Sequence, residues 1–246
     1  MTWVQFAKPG AWEPTVLICF HHAGGGASFY RSWPAAFAGR GIEVWPVQLP
    51  GRESRHAEAR ITDLARLIDA MLPELAAGLA GRPYLLYGHS AGALVACAFA
   101  LAMTGAGLAG PRHVVVGACR PPSRPDPDAP IHLLPPDRLP AKLMSYGGLP
   151  PEAHDFPDLV DQVMAAMRDD LRLVETAAWP GGPWLDCPVT AVGGIEDVNV
   201  PVDVLPHWRE ITSGPFVTHR LPGGHFPAGG ATQRLQGVIW NALARS

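Results

Sequence analysis

The sequence lacks the features that mark several large classes of protein. Its 19 lysines and arginines are outnumbered by 22 acidic residues, which gives a formal net charge of −3. Because general nucleic-acid binders are usually basic, that class is not indicated. The longest apolar run, residues 93–103, is too short to span a bilayer. The N-terminus has no apolar stretch with a cleavage signal, so export is not indicated and a cytoplasmic location is expected.

Cysteine is scarce, and metal-ligand spacing is missing. The chain has four cysteines, none in a C-x-x-C pair: Cys19, Cys97, Cys119 and Cys187. Each lies in or beside an apolar segment, which favours reduced thiols in a core over disulfides or metal ligands. A glycine run at 24–26 follows an apolar stretch, but no Lys-Ser/Thr comes after it, so a phosphate-binding loop is not indicated. We expect neither a metal nor a cofactor.

What the chain does have is apolar sequence arranged as alternating strands and helices. With 246 residues, 48% of them hydrophobic and 17% charged, it fits one large α/β domain. Apolar runs of strand length lie at 15–20, 42–49, 83–87, 113–119, 187–192 and 216–221. Helical segments are predicted at 29–38, 61–79, after residue 90, at 159–178 and at 233–245. This alternation predicts a mostly parallel central sheet flanked by helices, with Pro46 indicating an edge strand or an irregular strand end.

Proline is concentrated in one part of the chain. Residues 120–140 include eight prolines, and proline at this density prevents both helix and sheet from continuing. Helical periodicity resumes over 159–178. We therefore predict a lid insertion of loops and short helices over roughly 121–182, above the strand ends, within a single domain spanning residues 1–246. A second domain with its own core is the alternative, which so short and proline-rich a segment does not favour.

The central motif is Gly-His-Ser-Ala-Gly, residues 88–92, between an apolar run and a long alanine-rich segment. That order is typical of a nucleophile elbow, a sharp strand-to-helix turn that exposes a serine hydroxyl above the end of a sheet. Ser90 is then the candidate nucleophile. The amide of Ala91, at a helix N-terminus, is a candidate donor to a developing oxyanion. The alternative is a glycine-rich turn with an ordinary surface serine.

Other candidate site residues follow the ends of other predicted strands. The loop after the first strand offers the Ala23 amide as a second oxyanion donor, and His21 and His22 there either act in catalysis or fix the loop. After a later strand two acids compete, Glu196 and Asp197. His225 lies between glycine and phenylalanine in the loop after the last strand. Serine, acid and histidine thus occur in the chain order that this elbow uses.

Many of these pieces together resemble a known family, the stand-alone type II thioesterases of polyketide and nonribosomal peptide biosynthesis. The matching pieces are Phe20 with residues 22–25, residues 49–55, 87–90, Arg120 with Pro122, 146–150, 167–170 with Val174 and Glu175, 193–197, Trp208 with Thr212, and 223–226. The resemblance implies the α/β-hydrolase fold and the triad Ser90, Asp197 and His225, so it favours Asp197 over Glu196. It also implies a serine hydrolase, without a cofactor, that releases acyl groups from the phosphopantetheine arm of an acyl or peptidyl carrier protein.

The sequence departs from the family pattern at three places, all near the predicted site. His21 stands where proline is usual, Ala91 where methionine is common, and residues 227–230 replace larger side chains. These changes bear on substrate preference. Carrier proteins are usually acidic, so Arg52, Arg55 and Arg60 are candidate docking cations, with His22 a candidate for contact with the substrate; a solvated charged loop is the alternative.

Three other functions stay open at this point. A carboxylesterase and a chain-releasing acyltransferase or cyclase share the fold, and a carrier-binding scaffold with an inactive site is a non-enzymatic alternative.

Overall fold

The sheet is all parallel and has six strands. The computed structural model describes residues 2–7, 15–147 and 157–243. The strands are β1 (Thr15–Phe20), β2 (Ile42–Pro46), β3 (Tyr84–His89), β4 (His113–Gly117), β5 (Val189–Gly194) and β6 (Phe216–Leu221). They lie in the order β2-β1-β3-β4-β5-β6. Because β1, β3, β4 and β5 are buried along their whole length, they form continuous apolar runs rather than alternating patterns.

Helices cover both faces of the sheet. They are α1 (Trp33–Ala36), α2 (Leu64–Leu79), α3 (Ala91–Gly105), α4 (Leu139–Ser145), α5 (Pro157–Glu175) and α6 (Gly230–Leu243). One hydrophobic core packs α2 and α3 against one face of the sheet. A second core packs α1 and α6 against the other face. The predicted α/β fold, with a mostly parallel sheet between helices, is therefore confirmed.

Several predicted elements differ in their bounds. The predicted helix over 29–38 is replaced by a 3₁₀ turn, Ala27–Tyr30, and the short α1. Helix α2 begins three residues later than predicted, because the carboxylate of Asp63 accepts the amide of Arg66 at 2.9 Å and caps it. Strand β2 ends at Pro46 and is an edge strand, as its proline predicted.

The segment between β4 and β5 contains α4 and α5, with residues 148–156 outside the described part of the chain. Its own apolar cluster is small: Ile131, Leu139 and Leu143 pack against Met167 of α5. Farther along α5, Leu173 and Val174 belong to the main core instead. The C-terminal half of α5 is thus anchored to the body of the protein. Within the described ranges, every helix is too short or too polar to cross a lipid bilayer.

Candidate active site

Ser90 stands on a strained turn between β3 and α3. Its φ of 54° and ψ of −125° lie in a region that non-glycine residues rarely adopt. The turn is held by hydrogen bonds from the Ser90 amide to the Gly117 carbonyl at 2.8 Å and from the Ala93 amide to the Ser90 carbonyl at 2.9 Å. A Cβ at Gly88 would collide with the Gly92 carbonyl, and one at Gly92 with the Phe20 carbonyl. Both glycines are therefore required by close backbone approach.

Ser90, His225 and Asp197 form one hydrogen-bonded chain. The Nε2 atom of His225 lies 3.1 Å from the Ser90 hydroxyl oxygen, and its Nδ1–H donates to the Asp197 carboxylate at 2.7 Å. His225 and Asp197 are both buried. Glu196, the competing acid, is exposed and takes no part in the chain. The loops after β3, β5 and β6 thus bring together the three side chains that the sequence singled out.

The carboxylate of Asp197 is stabilised in its ionised form. Burial raises its pKa, but the hydrogen bond and charge of His225 and the two amides that it accepts outweigh this effect. Those amides belong to Asn199 and Val200, each 3.0 Å from Oδ1. The net pKa is below the usual value for aspartate. An ionised acid at this position favours the imidazole tautomer that leaves Nε2 free to accept a proton from a hydroxyl.

The two candidate oxyanion donors, Ala91 and Ala23, line one small cleft. Ala91 is the first residue of α3, and helical geometry leaves such an amide without an acceptor inside its own helix. Ala23 is buried in the loop after β1 and lines a small cleft together with Ala91 and Gly92. The two residues that the sequence offered as oxyanion donors are therefore brought to one place.

His21 and His22 both fix the loop that contains Ala23. The Nδ1–H of His21 donates to the His22 carbonyl at 2.8 Å, and that of His22 donates to the Ala23 carbonyl at 3.0 Å. The ring of His22 packs edge-on against Phe29 and Phe226, with centroids 5.0 and 4.8 Å away. Burial lowers the pKa of His22 to about 4, and burial also lowers that of His21 well below its usual value. Both rings are consequently neutral at pH 7.

The arginines considered for docking have partners within the protein. Arg52, whose side chain is only 9% exposed, forms a two-pronged ion pair with the buried carboxylate of Asp170. This buried position corrects the expectation that Arg52 is a surface docking cation. Arg55 pairs with Glu58 and also donates to the Gln48 carbonyl. Arg60 is ion-paired too, but its side chain stays one-third exposed.

The glycines after β1 are packed against protein side chains rather than open to a ligand. A Cβ at Gly24 would collide with Met167, and a Cβ at Gly26 with Glu53. A larger residue at either position would therefore displace one of these side chains. Among the described residues, no group of three His, Cys, Asp or Glu side chains is arranged to hold a metal ion.

A cavity of about 480 Å³ opens beside Ser90 and His225. Its walls are mostly apolar and come from α3, from α5 and from the proline-rich segment after β4. Apolar lining residues include Leu94, Leu171, Val174 and Val200, and the charged ones are Arg120, Asp126 and Glu175. The Glu175 carboxylate accepts hydrogen bonds from the amides of residues 131 and 132 and contacts the His132 ring at 2.6 Å. The volume and lining are typical of a pocket for a largely apolar ligand.

Tyr146 also lies in the site and contacts His225, which the sequence did not predict. Its ring packs edge-on against the imidazole of His225 at a centroid distance of 4.8 Å. Its hydroxyl donates to the Asp126 carboxylate at 3.1 Å, so the ring is fixed from the other end. In the sequence Tyr146 belongs to the family pattern at 146–150, of which residues 148–150 lie outside the described ranges.

Comparisons with known proteins agree with this geometry. The sequence model of the "Thioesterase domain" family matches residues 15–241. "Linear gramicidin dehydrogenase LgrE" of Brevibacillus parabrevis is 33% identical over 98% of this chain and 92% of its own. "Probable cadicidin biosynthesis thioesterase" of Streptomyces griseus is 34% identical over 91% of this chain and 61% of its own. The structure of RedJ, a thioesterase of the prodiginine pathway in Streptomyces coelicolor, superimposes with a TM-score of 0.86 at 33% identity, covering 94% of this chain and 91% of that one.

The family match covers the elbow, both later loops and the whole sheet, and the structural neighbour shares the fold along nearly its full length. The earlier resemblance is thus confirmed. This chain is an α/β-hydrolase that belongs to the thioesterase family.

Proposed function

We propose that this protein hydrolyses the thioester that joins an acyl group to the phosphopantetheine arm of an acyl or peptidyl carrier protein. In this proposal Ser90 is the nucleophile, His225 the general base and Asp197 the residue that orients the imidazole. The supporting observation is the hydrogen-bonded chain from Ser90 through His225 to Asp197 beside an apolar cavity of about 480 Å³. An apolar cavity suits an acyl chain, and the serine at its rim suits attack on the carbonyl carbon.

The reaction follows from the positions of these groups. Ser90 attacks the thioester carbonyl while Nε2 of His225 accepts its proton, and Asp197 stabilises the imidazolium that forms. The oxygen that becomes negative is met by the amides of Ala91 and Ala23. When the tetrahedral intermediate collapses, the C–S bond breaks and the leaving sulfur takes the proton from the imidazolium, which returns His225 to its neutral form. The sulfur departs readily, since thiols ionise at pH ~8.5. His225 next activates a water molecule, which attacks the acyl-serine and releases the acid.

We further propose that the chain is one domain in which residues 121–182 form a lid over the acyl cavity. The segment supplies Pro121, Tyr146, Leu171 and Trp179 to the cavity lining, among others. A lid of this kind excludes water from the acyl chain and leaves the reacting carbonyl near Ser90. The carrier itself stays outside, and only its arm enters.

The carrier is the partner that the relatives suggest. One relative and the structural neighbour are named as thioesterases of cadicidin and prodiginine biosynthesis, and the type II thioesterases that the sequence resembles act on acyl groups bound to carrier proteins. We also propose that the protein works in the cytoplasm, supported by the fact that all four cysteines are buried free thiols.

Intact-mass analysis of acyl-loaded carrier proteins tests the proposal. A panel that differs in acyl length is incubated with the wild type and with Ser90→Ala. Loss of the acyl mass from the carrier with the wild type, and its retention with Ser90→Ala, is the expected result. The same spectra report an acyl adduct on the enzyme, which is the predicted covalent intermediate. An unchanged carrier mass across the whole panel would exclude the proposed reaction.

The other functions predict different outcomes, in the same experiment or in a companion assay. A chain-releasing acyltransferase or cyclase gives an ester or a ring instead of the free acid. A carboxylesterase cleaves simple nitrophenyl esters and leaves acyl carriers intact. A carrier-binding scaffold retains its biological effect in the Ser90→Ala variant.

A further inference from the structure

The loop that contains Ala23 is held by side chains from two distant parts of the chain. The amide of Gly24 donates to Oδ2 of Asp170, on α5, at 2.7 Å. Asp170 is held in turn by Arg52, whose Nη1 and Nη2 donate to the two carboxylate oxygens at 2.5 and 2.8 Å. Nη1 of Arg52 also donates to the Gly25 carbonyl at 3.2 Å. Both side chains are less than a tenth exposed, so this is a built internal contact and not a surface ion pair.

The adjacent peptide plane is fixed separately. The carbonyl of His22 accepts the Nδ1–H of His21 at 2.8 Å and the amide of Gly25 at 3.1 Å. Because a peptide group is planar and trans, fixing the His22 carbonyl also fixes the direction of the Ala23 N–H on the opposite side of the same plane. The next plane is held at both of its polar atoms, by His22 at the Ala23 carbonyl and by Asp170 at the Gly24 amide. Two successive peptide planes therefore have little freedom to rotate.

We propose that Asp170, held by Arg52, and His21 are positioning residues that aim the Ala23 amide at the oxyanion formed during thioester hydrolysis. The inference rests on the proposed function, in which that amide is an oxyanion donor. Neither side chain takes part in the hydrogen-bonded chain of Ser90, His225 and Asp197. They act through the backbone of residues 22–24, so their removal affects the transition state more than the binding of substrate.

The neighbouring residue Asp169 supplies a matched control. It lies next to Asp170 on α5 and also pairs with an arginine, Arg60, at 2.6 Å, but both of those side chains are about one-third exposed. We compare Asp170→Asn and Asp169→Asn in hydrolysis of a short-chain acyl thioester of N-acetylcysteamine. We expect Asp170→Asn to lower kcat about 10- to 100-fold, less than deletion of a whole oxyanion donor, and to change KM by less than about threefold. Asp169→Asn stays within about twofold of the wild type.

Binding of an oxyanion mimic distinguishes positioning from a general loss of structure. A serine hydroxyl adds to a trifluoromethyl ketone, and the resulting negative oxygen lies where the oxyanion of the reaction forms. A thioether of the same chain length has no carbonyl group, so it only occupies the cavity. In Asp170→Asn the affinity for the trifluoromethyl ketone falls by about the same factor as kcat/KM, and the affinity for the thioether is unchanged. His21→Leu gives the same pattern, because it removes the donor to the His22 carbonyl.

Leaving Arg52 buried without its partner destabilises the fold, so a second variant separates stability from catalysis. Arg52→Met/Asp170→Leu removes both charges, and such apolar replacements of buried ion pairs are often neutral for stability. We expect this double variant to keep a melting temperature near that of the wild type and still to lose about 10- to 100-fold in kcat.

Three results would overturn the positioning role. They are wild-type kcat in the folded double variant, equal losses of affinity for the two ligands, and failure of the double variant to fold at 25 °C, which would make the pair purely structural. The proposed hydrolysis itself fails only if the wild type is inactive or Ser90→Ala is active.

Discussion

His22 makes the protein sensitive to acid in a way that can be calculated from the structure. Burial lowers the pKa of this imidazole from 6.5 to about 4, with the charge of His225 acting in the same direction. Above pH 6.5 the ring is neutral in both the folded and the unfolded state, and the free energy of unfolding has its full value. As the pH falls toward 4, the unfolded state binds the proton first, and the free energy of unfolding decreases. At roughly 1.4 kcal/mol per pH unit, this loss approaches about 3 kcal/mol below pH 4. It is an upper figure, because the ring keeps some contact with solvent.

Urea unfolding at intervals between pH 7.5 and 4 measures the effect. His22→Phe keeps an aromatic ring between Phe29 and Phe226 but cannot bind a proton. The free energy of unfolding of the wild type therefore falls more steeply with acid than that of the variant, by up to about 3 kcal/mol over the range. Two other buried histidines, His21 and His89, also have lowered pKa values and steepen both curves.

The comparison needs a control for the removal of any histidine. His56 is exposed, and its Nδ1 atom lies 3.0 Å from the Glu53 carbonyl of its own turn. His56→Phe is expected to leave the pH dependence of the wild type unchanged. Parallel curves for the wild type and His22→Phe would refute the argument that burial of this imidazole costs stability in acid.

Three further predictions concern the site and its cavity. Asp197→Asn lowers kcat by about 10⁴ while the fold is retained, and Glu196→Gln has no such effect; equal rates in the two variants would contradict the triad. Gly92→Ala destabilises by about 2 kcal/mol or more in urea unfolding, because its Cβ collides with the carbonyls of residues 20 and 21. Gly105→Ala, in the same helix with open space around it, is neutral or stabilising, and a similar loss there would refute this reasoning. Leu94→Trp fills part of the cavity and lowers kcat/KM for long acyl thioesters but not for acetyl; an equal loss for both contradicts the assignment of the cavity to the acyl chain.

The sequence predicted the parts of the fold whose causes are local. Strand β6 has the predicted bounds, Phe216–Leu221, because it lies between turn-forming residues, Pro215 before it and Pro222 and Gly223 after it. The edge position of β2 followed from Pro46, which cannot donate to a neighbour. The predicted helix over 29–38 was wrong, since tertiary packing there overrides helical periodicity and leaves a 3₁₀ turn and the four-residue α1.

The sequence predicted those site residues that directly follow a predicted strand. Ser90, Asp197 and His225 each follow a strand of the sheet, and parallel strands bring such ends to one edge of the sheet. Spacing alone could not decide whether Glu196 or Asp197 is the acid of the triad. The side chains of adjacent residues point in different directions, and only the folded loop determines which of them faces His225. Arg52 was misjudged for a related reason: its partner, Asp170, lies 118 residues away in the sequence. No local pattern indicates a contact over such a separation.

Helix α5 has a consequence for engineering substrate preference. Leu171 and Val174 form part of the cavity wall, and Asp170 of the same helix accepts a hydrogen bond from the Gly24 amide. Replacing this helix with that of a homologue, in order to accept an acyl group of different length, would therefore also replace the residue that positions the Gly24 amide. Such chimeras should retain the aspartate together with its arginine at position 52, or a drop in turnover will be mistaken for a mismatch of acyl size.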